Sequence, residues 1–209
     1  MAAPVVLLHG LAGSSRWWAP VRDRLATRHE VHALDLRDAA SLAPDSLAAA
    51  LEPLGRVQLV GHSLGGLAAV RVAARRPDLV ARLALVAPVG VPPTQGALGY
   101  AQALARELAA ASPSFLLLLA TDALRTGPRS LARSAWGLLG ADVRADLAHV
   151  SVPTLLVWGE RDRLVPVAAA DAFITALPDA RLVVVAGAAH MPMLERPGET
   201  AAALLDFLE

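Results

Sequence analysis

The sequence predicts an α/β protein: a mostly parallel sheet of about six strands with helices on both faces and one helical insertion. Three observations carry that expectation. Short Val- and Leu-rich runs alternate with segments of helical apolar spacing. Those runs are near-continuous in apolar residues, as expected of strands covered on both sides. One connection is far longer than an ordinary crossover. A chain of 209 residues suits one domain with a sizeable core and a small insertion.

The elements follow in order. "VVLLH" (5–9), "EVHAL" (30–34), "RVQLV" (56–60), "RLALVA" (82–87), "TLLVWG" (154–159) and "RLVVVA" (181–186) read as buried strands. Segments 16–28, 44–54, 64–76, 166–177 and 197–208 place apolar residues at helical spacing. From 91 to 150 there is no strand signal: "GVPPTQG" opens the stretch, Ala-, Leu- and Arg-rich helical patterns fill it, and "SVP" closes it. The expected organisation is therefore a core of residues 1–90 and 151–209 with a helical cap over 91–150. The "FLLLLA" run (115–120) either lines a pocket or packs the cap onto the core.

Open parallel sheets place their sites at the carboxyl ends of the strands. The polar residues there are few: "HGLAGSS" (9–15), "GHSLGG" (61–66), "GERDRLVP" (159–166) and "GAAHMPMLERP" (187–197). Ser63 lies between Gly61 and Gly65 where a strand turns into a helix. A turn that sharp holds its central residue in a sparsely populated backbone conformation, and small neighbours avoid a clash. The competing reading is a serine that merely caps a helix. A hydroxyl needs a base to become a nucleophile, and His190, in the loop after the last strand, has the right chemistry. His62 reads as a packing or hydrogen-bonding neighbour, and His29, His32 and His149 as peripheral. A carboxylate must orient the imidazole. Asp162 is the expected one and Glu160 its rival. Backbone N–H groups of Leu11 and Leu64 are placed to hold an oxyanion. His9 is expected to brace the first loop, and Ser14 or Ser15 to cap the next helix. Trp17 and Met191 are candidate pocket residues, with packing of the first helix as the competing reading for Trp17 and its neighbour Trp18.

Composition excludes other chemistries. The chain has no cysteine, so thiolate catalysis, disulfides and zinc–cysteine sites are out. Basic and acidic residues balance at 19 each, with no long run of one sign, which argues against a nucleic-acid surface. No phosphate loop, dinucleotide fingerprint or metal-ligand spacing is present, so no cofactor and no metal are expected. No apolar run approaches the roughly 20 residues that span a bilayer, and the N-terminus lacks a signal pattern. A cytoplasmic protein is the expectation.

The order serine, acid, histidine, carried by "HGLAGS", "GHSLGGLAA", "GERDRLVP" and "GAAHMPMLERP", resembles the α/β-hydrolase superfamily, in particular its branch with a helical cap. The resemblance runs from Pro4 to Leu208. It implies that Ser63, Asp162 and His190 form a catalytic triad, with Leu11 and Leu64 as the oxyanion hole. It implies a serine hydrolase acting on a small to medium apolar carboxylic ester. Carbon–carbon bond hydrolysis, lactonase, thioesterase or acyltransferase chemistry are the alternatives, and a receptor-like binder is the alternative of another class. Two departures stand out. The sequence starts at the strand before "HG", so the one or two family strands that normally precede that strand are expected to be absent, and the Gly-rich loop after the second strand is replaced by "DLRDAASLAP" (35–44). A shortened sheet is expected to leave one edge less covered, with a homodimer contact or poor solubility as the two expected consequences. The cap arginines Arg106, Arg125, Arg129, Arg133 and Arg144 read as solvated helix faces, with a substrate carboxylate as the rival partner.

Overall fold

A computed structural model describes residues 3–36, 42–91 and 96–209. Six strands form one parallel sheet: β1 (Val5–Leu8), β2 (Val31–Leu34), β3 (Val57–His62), β4 (Val80–Val86), β5 (Thr154–Gly159) and β6 (Ala180–Val185). Their order across the sheet is β2-β1-β3-β4-β5-β6, with every pairing parallel. All six expected strands are present, and all six carboxyl ends therefore share one rim.

Alternation within the strands explains their apolar continuity. Val6 and Leu8 join Leu59, Leu83, Leu85, Leu156 and Trp158 on one face. Val5 and Leu7 join Val60, Ala84, Val86, Leu155 and Val157 on the other. Helices α2 (Pro44–Leu51), α3 (Leu64–Arg75) and α8 (Ala170–Ala176) cover the first face; α1 (Ala19–Leu25) and α10 (Pro197–Leu208) cover the second. The inner strands are covered on both faces, so most of their positions are apolar, with Gln58, Arg82 and Thr154 among the exceptions; the edge strands β2 and β6, which read as buried from the sequence, are only part-buried and carry His32 and Arg181. Each fully buried Leu, Val or Phe side chain contributes roughly 1.5–3 kcal/mol of transfer free energy.

Between β4 and β5 the chain forms α4 (Gly96–Ala110), α5 (Pro113–Thr126), α6 (Pro128–Leu139) and the short α7 (Arg144–Leu147). The last of these packs back into the sheet core, with Leu147 fully buried beside α3 and α8. The segment leaves and re-enters at one point: Val143 N–H donates to the Gly90 carbonyl at 2.7 Å. Gly90 has φ +116°, and a Cβ there would lie 2.9 Å from the Val143 side chain. A short helix, α9 (Pro192–Glu195), follows the loop after β6.

Ser14 does stand before a 3₁₀ turn (Ser15–Trp18), but it makes no side-chain cap. Its hydroxyl is spent on Asp122 of α5, at 2.8 Å, a partner that only the tertiary fold supplies. Of the loop replacing the Gly-rich segment, residues 37–41 lie outside the described residues.

Candidate active site

The turn after β3 is as tight as the sequence requires. Ser63 has φ 52° and ψ −114°, a left-handed conformation that costs a non-glycine residue about 1–3 kcal/mol. Three backbone hydrogen bonds hold it there. Ser63 N–H donates to the Val86 carbonyl at 3.0 Å, and its own carbonyl accepts from Leu67 at 3.1 Å and Val89 at 3.3 Å. The flanking glycines are required by space. A Cβ on Gly61 would lie 2.5 Å from the Gly65 carbonyl oxygen, and one on Gly65 would lie 2.5 Å from that of His9. Ser63 thus sits at the N-terminus of the 12-residue α3, where the helix dipole favours negative charge.

The loops after β5 and β6 meet beside it. His190 Nδ1 and Asp162 Oδ2 are 2.8 Å apart, both residues buried. The other carboxylate oxygen of Asp162 accepts from Leu164 N–H at 3.0 Å and Val165 N–H at 2.8 Å. That leaves the carboxylate fully engaged and fixes its direction. With Nδ1 donating to Asp162, the imidazole leaves Nε2 as the acceptor. Glu160 does a different job: it accepts from Gly187 N–H at 2.8 Å and so ties the two loops together. Gly159 makes this approach feasible, because a side chain there would collide with the Ala189 carbonyl.

Sequence reasoning overlooked a second carboxylate on the histidine loop. Glu195 accepts from Ala189 N–H at 2.6 Å and from Met191 N–H at 3.2 Å, one on either side of His190. The available signal was its position as the one carboxylate in "HMPMLERP". His62 also holds this loop, with Nε2–H donating to the His190 carbonyl at 3.0 Å. Burial, and next the neighbouring His190, push the His62 pKa well below the ordinary histidine range, so it stays neutral.

The loop after β1 is braced as expected. His9 Nε2 accepts from Leu36 N–H at 2.8 Å, which leaves Nδ1–H to donate to the Gly10 carbonyl at 2.8 Å. Burial lowers its pKa too. Leu11 and Leu64 line one small cavity, and neither N–H donates to a protein group among the described residues. Ala12, next to Leu11 in this loop, has φ 59°.

Ser63, His190, Trp17 and Met191 all line a larger cavity of about 880 Å³, within the range of sites that take small molecules. Phe115 and Leu119 of α5 face it, while Leu117 of the same run is exposed, so "FLLLLA" both lines the pocket and packs. Tyr100 of α4 lines it as well; burial, and then the Asp162 charge, raise its pKa to about 12, which keeps the phenol protonated. Burial likewise raises the pKa of Glu107. None of the five cap arginines lines this cavity; its arginines are Arg161, Arg163 and Arg196, from the loops after β5 and β6. Among the described residues no cluster has metal-binding composition, and no helix is long and apolar enough to cross a membrane.

A parallel sheet with a strained serine after its third strand and an aspartate–histidine pair after its last two defines a class. The model of the alpha/beta hydrolase family matches residues 5–203, and the chain belongs to that family. It is 35% identical over 240 aligned residues to the pimeloyl-[acyl-carrier protein] methyl ester esterase of Chromobacterium violaceum, covering 98% of this chain and 94% of the relative. The enzyme of the same name from Nitrosomonas europaea is 32% identical over 229 residues, covering 92% and 90%. Among solved structures, NosK from Streptomyces actuosus superposes with a TM-score of 0.77 at 30% identity, over 99% of this chain and 97% of that one.

Proposed function

We propose that this hydrolase cleaves carboxylic esters through an acyl-enzyme on Ser63. The observation that carries the reading is the 2.8 Å His190–Asp162 hydrogen bond, set in the wall of the cavity that Ser63 also lines. Ser63 Oγ attacks the ester carbonyl as His190 Nε2 takes its proton. Asp162 holds the imidazole in the Nδ1–H tautomer and stabilises the cation that forms. The N–H groups of Leu11 and Leu64 receive the oxyanion; one such donor is typically worth about 3 kcal/mol in the transition state. His190 then protonates the departing alcohol, and the C–O bond to it breaks. A water deprotonated by the same imidazole attacks the acyl carbonyl, and the acid leaves as Ser63 regains its proton.

The cavity's lining favours an apolar acyl or alkyl part of small to medium size. Helices α4, α5 and α6 serve as the cap over it. A methyl ester of a carrier-linked acyl chain, the substrate named for the two esterase relatives, is one ester of this class to assay.

The test is labelling by an organophosphonate followed by intact-mass measurement, alongside hydrolysis of p-nitrophenyl esters. The expected result is one adduct on the wild type, none on Ser63→Ala, and loss of ester turnover on the order of 10⁴-fold or more in that variant. Turnover that survives Ser63→Ala, or a folded wild type that neither labels nor hydrolyses, overturns the proposal.

A further inference from the structure

Among the described residues, the least exposed ionisable side chain outside the candidate site is on the cap. Asp122 of α5 is 2% exposed. Its Oδ2 accepts from Ser14 Oγ at 2.8 Å and from Trp17 Nε1 at 3.0 Å. Its Oδ1 pairs with the Arg16 guanidinium, and Arg125 stands 3.8 Å away, one turn further along α5. Arg16 also donates to Thr121 at 3.3 Å. Three of these partners come from Ser14 to Trp17, the segment that continues the loop carrying Leu11.

A carboxylate taken out of water needs such partners, since an unpaired buried charge is strongly unfavourable. These partners also determine geometry. The Trp17 ring, held by its N–H, meets Phe115 of α5 edge-on at 5.6 Å and His62 at 6.2 Å. Trp17 and Phe115 both line the large cavity, and His62 holds the His190 carbonyl. One buried carboxylate thereby ties the cap helix, the pocket wall and the oxyanion loop to each other.

Resting on the esterase reading above, we infer that Asp122 is a positioning residue for the reaction. It sets the cap wall and the Leu11 loop in register with Ser63, and so fixes both the acyl-length preference and the placement of the oxyanion donor. It touches no reacting atom. Its effect passes through Trp17 for the wall and through Ser14 for the loop.

The experiment compares wild type, Asp122→Asn, Trp17→Phe and Ser14→Ala on p-nitrophenyl acetate, butyrate and octanoate. Rates are expressed per site labelled by the phosphonate, so misfolded protein does not count. The expected Asp122→Asn result is a kcat per labelled site lower by about tenfold, the order of loss that small misplacements produce, with a shifted octanoate-to-acetate ratio of kcat/KM. Trp17→Phe shifts mainly that ratio, and Ser14→Ala mainly kcat. A purely structural role lowers the melting temperature and the labelled fraction but leaves per-site kcat and the length profile unchanged; that result overturns the inference. If Asp122→Asn does not fold, wild-type-like kcat and length profiles in both Trp17→Phe and Ser14→Ala overturn it instead. A wild type that neither labels nor hydrolyses sinks the esterase reading, and this inference with it.

Discussion

The sheet rim and the helices above it are held in different ways. At the rim, backbone groups do the holding: Ser63 is fixed by three main-chain hydrogen bonds, and the His190 loop by N–H groups given to Glu160 and Glu195. The strands beneath are dry, with Val5, Leu7, Val60 and Leu156 wholly buried. The cap helices are loosely embedded. Leu98, Leu117, Leu124 and Trp136 are 74%, 67%, 82% and 80% exposed, and the polar ties to the core include Asp122, held by Ser14 and Trp17, and Glu107, which accepts from Arg163 N–H. The contrast teaches a division of labour. The candidate reacting groups sit on turns whose main chain is pinned by hydrogen bonds, and the cavity wall sits on helices whose outer faces are exposed.

That contrast is open to test, beginning with the rim. Asp162→Asn keeps the shape but donates where it should accept, and ester turnover is expected to fall by on the order of 10³–10⁴-fold. Steady-state kinetics normalised to labelled sites measures it, and a fall below tenfold would break the assignment of Asp162. Gly65→Ala is expected to destabilise the fold by about 1–3 kcal/mol, because the new methyl meets the Leu8 and His9 carbonyls at 2.7 and 2.5 Å. Urea unfolding reads that directly.

Acidity gives a gentler probe. Folding lowers the pKa of His62, and of His9 to a lesser degree, chiefly by burial. Below a pH of about 6.5 the unfolded chain binds protons that the folded one refuses, so stability is lost as pH falls through that point. Each of the two histidines adds a slope of up to about 1.4 kcal/mol per pH unit. Urea unfolding between pH 7.5 and 5.5 should show the decline, and His62→Gln should flatten it. The smallest effect belongs to the cap surface: Trp136→Ser is expected to shift stability by less than about 0.5 kcal/mol and to leave kcat unchanged.

Much of this contrast could be read from the chain itself, and unevenly. The inner strands were legible because two-sided burial favours near-continuous runs of Val and Leu, whereas β2 and β6, read as buried, are part-buried edge strands. The serine turn was legible because Gly61 and Gly65 stand at a fixed short spacing. His190 and Asp162 followed from strand ends alone. Asp122 was not legible. In "LLLLATDALRT" it is an ordinary polar residue on a helix, and its partners Ser14, Arg16 and Trp17 lie more than 100 positions away. Ser14 misled for the same reason, since a local capping role is all that a local reading offers a serine before a helical turn. Glu195 fell between the two cases: close to His190 in sequence, but recognisable only once the loop's N–H groups had directions.

The hydrogen bond between Gly90 and Val143 carries one more consequence. A segment whose two ends share a doorway is a cassette: its contents can be exchanged while the threshold stays closed. Relatives that keep the same doorway could lend their intervening helices to this chain. Chemistry and appetite would then evolve on separate clocks within a single polypeptide.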